Sequence, residues 1–279
     1  EMSAPDGASR QHYRALQTRL DTLGPDEMTR RQQAVDRAFL HQGITFIVYG
    51  DADSTERIFP TDCLPRILTA SEWAKIEAGL TQRVEALNLF LKDIYNDGAI
   101  LSDGVVPRDL VYSCRQYLRE MRGVQVPRDA YVSICGSDLV RTENGEFAVL
   151  EDNLRVPSGV SYMLTNREII RRAFPTLYRG YNVRRIEDYC ESLLATLRSL
   201  APGHRSDPRI VLLTPGVFNS AYFEHTFLAR RMGIELVEGR DLVVHNNTVF
   251  MRTTSGLRRV DVIYRRLDDD FIDPIVFRP

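Results

Sequence analysis

The stretch that decides the fold runs from residue 147 to residue 159 and reads FAVLEDNLRVPSG. A short apolar run leads directly into three polar residues, Glu151, Asp152 and Asn153. Alternate side chains on an extended backbone share a face, so we expect Glu151 and Asn153 to point the same way. The Pro-Ser-Gly that closes the stretch ends the strand, and a helix is expected at about residues 161–173.

Upstream of this stretch, residues 138–141 form a second predicted strand. The turn between the strands is expected at Glu143-Asn144-Gly145, because Asn-Gly readily adopts the positive φ of a tight hairpin turn. The hairpin can bring Asp138 close to Glu151. Two carboxylates and the amide oxygen of Asn153 on one face suit a hard cation, and Mg²⁺ fits best because substrate phosphates complete its shell. Spacing alone leaves a second interpretation open, a charged hairpin edge capped by Asn153.

The remaining periodicity predicts an α/β protein with mixed α+β character, a metal-binding β-hairpin subdomain followed by a parallel β-α-β domain. The best linker lies at residues 200–208, which favours a helical and metal-binding part at 1–203 and a β-α-β domain at 204–279 that is incomplete at its C-terminal end. The first part is predicted to contain two helices in 10–41 with Pro25 opening the second, strands at 44–48 and 57–59 around a turn at 50–54, and a helix at about 73–95 capped by Ser71. A strand at 131–135 and a helix at 186–200 follow. The second part is predicted to contain a β-α-β unit of strand 210–213, helix 220–232 and strand 234–237, and strands at 249–251 and 260–264.

Composition narrows the class of protein. Hydrophobic residues make up 43% and charged residues 27% of the 279 residues, which is the balance of a folded chain. The formal net charge of -2 leaves no excess of base to neutralise nucleic acid. No window is apolar enough for a membrane span, no secretory signal is expected, and the four cysteines show no C-x-x-C pair, so they are predicted to be free thiols. A cytoplasmic location is therefore expected.

The segment from Gly136 to Asn153, with the Pro-Ser-Gly that follows, resembles the magnesium-binding end of the ATP-grasp ligases, such as D-alanine–D-alanine ligase. Residues 151–162 and 261–271 further resemble the circularly permuted ATP-grasp family of bacteria, often described as glutathionylspermidine-synthetase-like. The resemblance runs from about residue 10 to residue 279. The permuted order agrees with the periodicity, because the metal hairpin precedes the β-α-β unit.

This resemblance implies an ADP-forming ligase that joins a small-molecule or peptide carboxylate to an amine through an acyl phosphate, with Mg²⁺ and ATP as cofactors. It places the metals on Asp138, Glu151 and Asn153. The other site residues that it favours are Arg155, Arg265 and Arg266 for catalysis, Ser158 and Gly159 for cofactor binding, and Asn219, Ser220 and Asp268 for substrate binding.

Each of these positions also has a simpler interpretation. Arg155 shares a face with Asn153 only if the backbone stays extended, and it could instead form a surface ion pair with Asp152. Ser158 and Gly159 precede a helix, where backbone N–H groups bind anions and where a serine commonly caps the helix. The run that ends in Asp268, Asp269 and Asp270 could be a solvated loop, since alternation allows at most two of its acids to share a site.

The family pattern is not fully matched. A glycine-rich phosphate lid with a nearby lysine is expected, but the only lysines are Lys75 and Lys92 in the predicted long helix. Gly136 stands where D-alanine–D-alanine ligase has an arginine two residues before its metal Asp. We therefore expect a fragment that lacks part of the nucleotide site and is inactive alone. The alternatives are a non-catalytic binding or scaffolding protein that retains the fold and, less favoured, a magnesium phosphohydrolase.

Overall fold

The computed structural model describes residues 1–3, 6–47, 56–268 and 271–272. It has a mixed α/β architecture, as the sequence predicts. The helices within these residues are α1 (Arg14–His41), α2 (Ala70–Tyr95), α3 (Ala99–Ser102), α4 (Arg108–Tyr112), α5 (Val160–Ala173), α6 (Pro175–Gly180), α7 (Tyr189–Ser199) and α8 (Tyr222–Met232). The strands are β1 (Thr45–Ile47), β2 (Glu56–Ile58), β3 (Gly136–Arg141), β4 (Phe147–Asn153), β5 (Ile210–Leu213), β6 (Glu235–Val237), β7 (Leu242–His245), β8 (Thr248–Thr253), β9 (Gly256–Arg259) and β10 (Val262–Arg265).

The chain divides into two compact units, one of residues 1–67 with 158–279 and one of residues 68–157. This division differs from the boundary expected at residue 203. Helices α5 and α7 pack against α8, so elements on both sides of the expected linker belong to the first unit.

The first unit contains a parallel sheet in the order β10-β5-β6, which confirms the predicted β-α-β unit. All four residues of β5 are buried, as a continuous apolar run in the centre of a parallel sheet should be. Helix α8 connects β5 to β6 and ends at Gly233, whose φ of 67° gives the left-handed C-cap. The C-terminal ends of β5 and β10 lead into the loops that contain Asn219, Ser220 and Asp268.

Helix α1 is broken at Gly24, where φ is 71° and ψ is 166°, and Pro25 opens the second half. The two predicted helices are therefore present. Val35 and Phe39 from the second half pack with Ile169 and Ile170 of α5 in a buried apolar cluster. This packing fixes α5, whose N-terminus follows the motif at 157–159.

An antiparallel meander of β7, β8 and β9 completes the first unit. The sequence predicts only part of β8 here. Every residue of β9 is exposed, so no apolar alternation marks it.

The second unit, residues 68–157, contains α2, α3, α4 and the β3–β4 hairpin. Helix α2 begins one turn earlier than predicted. Its cap is Thr69, not Ser71, because Thr69 and Glu72 form a reciprocal capping box. Ile94, Leu101 and Val111 form the buried cluster of this unit.

The strand predicted at residues 131–135 is absent. The backbone N–H groups of Tyr131 and Val132 donate to the Asn88 side-chain oxygen at 2.8 and 3.0 Å, so a side chain of α2 satisfies them. Strand β3 begins at Gly136 instead.

Two further predictions concern the cysteines and membrane-spanning helices, and a few others fall on residues that the structure does not describe. All four cysteines are free, with Cys63 and Cys190 buried. None of the helices in the described ranges is long and apolar enough to cross a membrane. The turn predicted at 50–54, the end of the strand at Val48, and the acids Asp269 and Asp270 lie outside the described residues.

Candidate functional site

Strands β3 and β4 form the antiparallel hairpin that the sequence predicts. Its register opposes Asp138 to Glu151 and Gly136 to Asn153. Opposed residues share a face, as do residues two apart on one strand, so Asp138, Glu151 and Asn153 lie on one face. All three side chains are exposed on this outer face. The hairpin therefore brings the three proposed metal ligands together, while their role stays a prediction.

A β-bulge is what turns Glu151 to the outer face. The register shifts between Asp138 and Leu139, because Leu139 opposes Val149 whereas Asp138 opposes Glu151. Leu150 is the extra residue, and both Leu150 and Glu151 are exposed. In an unbulged hairpin Asp138 would face Leu150 and Glu151 would point inward. Nothing in the apolar pattern of the sequence marks this bulge.

On the opposite, inner face of the β3–β4 hairpin, Asp152 is held by two hydrogen bonds. Its carboxylate accepts hydrogen bonds from the Ser137 hydroxyl at 2.7 Å and from the Arg83 guanidinium of α2 at 2.6 Å. The Asp152 side chain is only 7% exposed. The hydrogen bond from Ser137 and then the bond and charge of Arg83 lower the pKa of Asp152, despite the opposing effect of burial. Arg83 thus positions Asp152, and no pattern in the sequence indicates this role.

On the outer face, the Asn153 side-chain amide donates from Nδ2 to Glu151 Oε1 at 3.1 Å. This bond is donated by the amide nitrogen and does not involve the amide oxygen. An amide oxygen is the type of ligand that Mg²⁺ accepts. Within the described part of the chain, no three His, Cys, Asp or Glu side chains converge as a metal site. A cation here would therefore rely on two carboxylates, one amide and outside oxygen ligands, which fits Mg²⁺ better than zinc.

Gly136 is explained by the segment that follows β4. A Cβ built on Gly136 would lie 2.8 Å from Cβ of Pro157 and 3.7 Å from Cβ of Asn153. Only glycine lets the chain fold back over β3 at this point. The residue that departs from the D-alanine–D-alanine ligase pattern therefore has a steric reason in this chain.

Arg155 does not meet the condition on which its predicted role depends. Strand β4 ends at Asn153, and residues 155 and 156 form a bend. The same-face argument from Asn153 therefore does not apply, although the Arg155 side chain is exposed. The predicted alternative partner, Asp152, is held by Arg83 and Ser137.

In the first unit, the helix start at Ser158 and Gly159 binds a carboxylate of the chain itself, that of Glu224. Glu224 of α8 is fully buried, and its Oε2 accepts from Gly159 N at 2.7 Å and Ser161 N at 3.1 Å. The Ser161 hydroxyl donates to the same oxygen at 2.9 Å. The helix start predicted to bind an anion therefore holds the carboxylate of Glu224, and cofactor binding by Ser158 and Gly159 stays a prediction.

Arg266 completes this buried network. Its Nη2 donates to Glu224 Oε1 at 2.9 Å and to the Ser158 hydroxyl at 2.6 Å, and its Nη1 donates to Tyr264 Oη at 3.2 Å. The Arg266 and Glu224 side chains are both 0% exposed. A guanidinium buried in this way positions the loop and helix start, and it does not reach a substrate in solution. The catalytic role predicted for Arg266 stays a prediction, and its guanidinium is enclosed in this network.

The other candidates near β10 are more accessible. Arg265 is the last residue of β10 and is half-buried, and Asp268 is exposed and follows the bend at Leu267. Both lie at the C-terminal end of a parallel strand, where ligands bind in open α/β sheets.

The loop after β5 lines a cleft of ≈ 340 Å³ in the first unit. Predicted residues Asn219 and Ser220 are among its walls, together with Tyr222, Thr226 and Arg230 of α8. The Asn219 side-chain oxygen accepts from Ala221 N at 2.9 Å, which orders the loop before α8. Polar and apolar side chains both line the cleft, and among the described lining residues Arg230 is the one with a charged side chain.

Behind this loop, His225 is buried and shares a 2.8 Å hydrogen bond with the Thr214 hydroxyl. Burial, followed by the nearby charge of Arg266, lowers the pKa of His225 to about 3. The imidazole is therefore neutral near pH 7 and acts as a structural group.

Comparisons with known proteins agree with this architecture. The family profile described as "a circularly permuted ATPgrasp" matches residues 65–279. A Mycobacterium tuberculosis protein of uncharacterized function is 50% identical over the whole chain, which covers 50% of that relative. A Frankia casuarinae protein named "Putative glutamate--cysteine ligase 2-2" is 40% identical over 95% of the chain and 30% of its own length.

A solved structure shows the same fold. It is that of a glutathione synthetase like-effector from Globodera pallida in the apo form, with a TM-score of 0.58 at 13% identity, covering 89% of this chain and 60% of that one. The chain belongs to the circularly permuted ATP-grasp family. It spans about half the length of the mycobacterial relative that it matches.

Proposed function

We propose that this chain supplies the metal-binding and substrate-binding parts of an ATP-dependent ligase that joins a carboxylate to an amine. The ATP-grasp family and the ligase name of the Frankia relative support the reaction class. The observation that carries the proposal is the bulged register that sets Asp138, Glu151 and Asn153 on one exposed face.

In the proposed reaction ATP phosphorylates the carboxylate, the amine attacks the acyl phosphate, and ADP and phosphate leave. Bound Mg²⁺ would neutralise charge on the transferring phosphoryl group. Asp138 and Glu151 supply the two negative ligands, and Asn153 supplies a neutral one. Arg83 and Ser137 hold Asp152 inward, and this keeps the neighbouring ligands turned outward.

The first-unit residues are assigned two kinds of role. We assign substrate contact to Asn219 and Ser220, which line the cleft, and to the accessible side chains at the end of β10, Arg265 and Asp268. Ser158, Gly159 and Arg266 are assigned a positioning role through Glu224. Arg155 is kept as a proposed phosphate or carboxylate contact because its guanidinium is exposed and carries a planar pair of donors.

The experiment compares Glu151→Gln with Glu143→Gln, a matched change in the exposed hairpin turn. Mn²⁺ binding by the 279-residue chain is followed by electron paramagnetic resonance, and ADP release is followed in a full-length relative that carries the corresponding change. We expect Glu151→Gln to weaken Mn²⁺ binding at least tenfold and to abolish ADP release, because it removes a ligand charge. Mn²⁺ binding and ADP release that are unchanged in Glu151→Gln would contradict the metal assignment. Mn²⁺ binding without ADP release by the wild-type protein would favour a binding protein instead.

A further inference from the structure

A second cleft, of ≈ 290 Å³, lies in the first unit and includes none of the residues assigned above. It is bordered by α5, α6, the segment before α7, α7 itself and α8. Four arginines line it, Arg167, Arg171, Arg185 and Arg231, against two glutamates. This excess of positive charge contrasts with the net charge of -2 of the whole chain.

The two glutamates can compensate at most two of these four positive charges. Glu168 is held at 2.5 Å by Arg172, which does not line the cleft, whereas Arg231 lies 3.9 Å from it. Glu187 lies 4.0 Å from Arg171 and 3.7 Å from Arg185. Charge-assisted hydrogen bonds are about 2.7–2.9 Å long, so these carboxylates do not hold the lining arginines tightly.

Two of the arginines are instead oriented by contacts that leave their charge available. Arg167 donates from Nη1 to the carbonyl oxygen of Arg184 at 2.6 Å. Arg231 lies over the ring of Phe227, with Cζ 5.3 Å from the ring centroid. A neutral carbonyl and an aromatic face order a guanidinium without neutralising it, so Arg167 and Arg231 are arranged before any ligand binds.

The floor of the cleft is apolar. Phe227 and Cys190 are 6% and 5% exposed, and Leu164 and Ile186 also line the cleft. Burial raises the pKa of the Cys190 thiol, which therefore stays uncharged near pH 7. A cationic rim around an apolar floor matches a ligand with one dianionic group and a small apolar body.

We propose that this cleft binds a phosphomonoester, with the phosphate on Arg171 and Arg231 and the organic group against Leu164 and Phe227. Guanidinium groups suit a phosphate because their planar donors match its oxygen atoms. Inorganic phosphate carries the same kind of charge as the ester but has no organic group to contact Leu164 and Phe227. The ester is therefore the tighter ligand. The site belongs to the first unit, whereas the proposed metal hairpin belongs to the second.

The test titrates the 279-residue chain with phenyl phosphate, inorganic phosphate and phenol in calorimetry at constant ionic strength. We expect saturable binding of phenyl phosphate, at least fivefold weaker binding of inorganic phosphate, and none of phenol. Arg171→Gln and Arg231→Gln should each weaken phenyl phosphate about tenfold, since each removes a charge-assisted bond. Both side chains are about half exposed, 52% and 55%, so the variants should fold.

Arg198→Gln is the matched control, because Arg198 is an exposed arginine of α7 outside the cleft lining. It should bind phenyl phosphate like the wild type. Leu164→Ala should reduce the preference for phenyl phosphate over inorganic phosphate. Equal losses in Arg198→Gln and Arg171→Gln, or no saturable binding by the wild type, would overturn the proposal. Mn²⁺ binding at the hairpin is a separate measurement, so the two proposals can fail independently.

Discussion

The carboxylates of this chain fall into two groups according to what they contact. Asp152 and Glu224 are almost completely buried and receive hydrogen bonds from neighbouring groups of the chain. Asp138 and Glu151 are exposed on the opposite side of the hairpin from Asp152. A carboxylate that is satisfied internally has little to offer a ligand, so the inward pair fixes the backbone and the outward pair is available for chemistry.

The bond from Ser137 to Asp152 should be measurable as stability. Ser137→Ala removes one donor from a nearly buried carboxylate, and we expect a loss of about 1–3 kcal/mol in the free energy of unfolding. Ser133→Ala, an exposed serine just before β3, is the control and should stay within about 0.5 kcal/mol of the wild type. Urea denaturation followed by circular dichroism compares the variants, and equal effects of the two would contradict the role given to Ser137.

His225 should make the stability of the protein depend on acidity. The folded chain keeps His225 neutral down to a pKa of about 3, whereas the unfolded chain protonates it near 6.5. The unfolded state therefore binds more protons in this window, and the free energy of unfolding falls as pH drops through it, by at most about 1.4 kcal/mol per unit.

The variant His225→Asn removes this titration and should show a shallower decline than the wild type between about pH 6 and about pH 4. Denaturation curves at several pH values measure the difference between the two proteins, which cancels the contribution of the carboxylates common to both. A stability difference that stays constant across this range would show that His225 does not titrate as described.

At the scale of elements, the β3–β4 hairpin is shaped by one extra residue and one missing side chain. The bulge at Leu150 re-aims Glu151 outward, and the absence of a Cβ at Gly136 lets Pro157 pack over β3. Both features act on the same strand ends, since Gly136 opposes Asn153. The geometry of the proposed metal face therefore depends on backbone shape as much as on the ligands themselves.

Gly136→Ala tests this dependence. The new methyl would lie 2.8 Å from Pro157, so the segment after β4 must shift, and we expect Mn²⁺ affinity to fall although no ligand is changed. Gly79→Ala in α2 is the matched control, because its Cβ meets nothing within 4 Å. That exposed helical position should gain about 0.5–1 kcal/mol and bind Mn²⁺ normally. Normal Mn²⁺ affinity in Gly136→Ala would show that the backbone at this position tolerates a side chain.

Across the whole molecule, the sequence predicts the elements with strong local signals. The Asn-Gly turn and the alternation on either side of it indicate the hairpin, the apolar run 210–213 indicates the buried parallel strand, and Pro25 indicates the start of the second half of α1. These features are determined by residues close together in the sequence, so they can be predicted without knowledge of the tertiary contacts.

The features that the sequence does not predict depend on distant contacts. Asn88 satisfies the backbone at Tyr131 and Val132, which removes a predicted strand. Glu224 fills the helix start that was expected to bind a ligand, although it lies more than 60 residues away along the chain. The roles of Arg83 and Arg266 have the same origin, because each pairs with a carboxylate that only the fold brings close.

The buried pair of Glu224 and Arg266 joins three segments of the first unit, the start of α5, α8 and the end of β10. Glu224→Gln leaves a buried guanidinium without its counter-charge, and we expect a loss of about 3–5 kcal/mol. Glu235→Gln is the control, because its 2.9 Å pair with Arg209 is 43% and 38% exposed and should be worth less than about 1 kcal/mol.

Hydrogen exchange read by mass spectrometry locates the effect. Amides of β5 and α8 should exchange faster in Glu224→Gln than in the wild type, because the first unit opens more often. Amides of β3 and β4 lie in the second unit and should keep their wild-type rates. Faster exchange spread evenly over both units would instead mean that the chain unfolds as a single cooperative body, and the division at residues 67 and 157 would then have no energetic meaning.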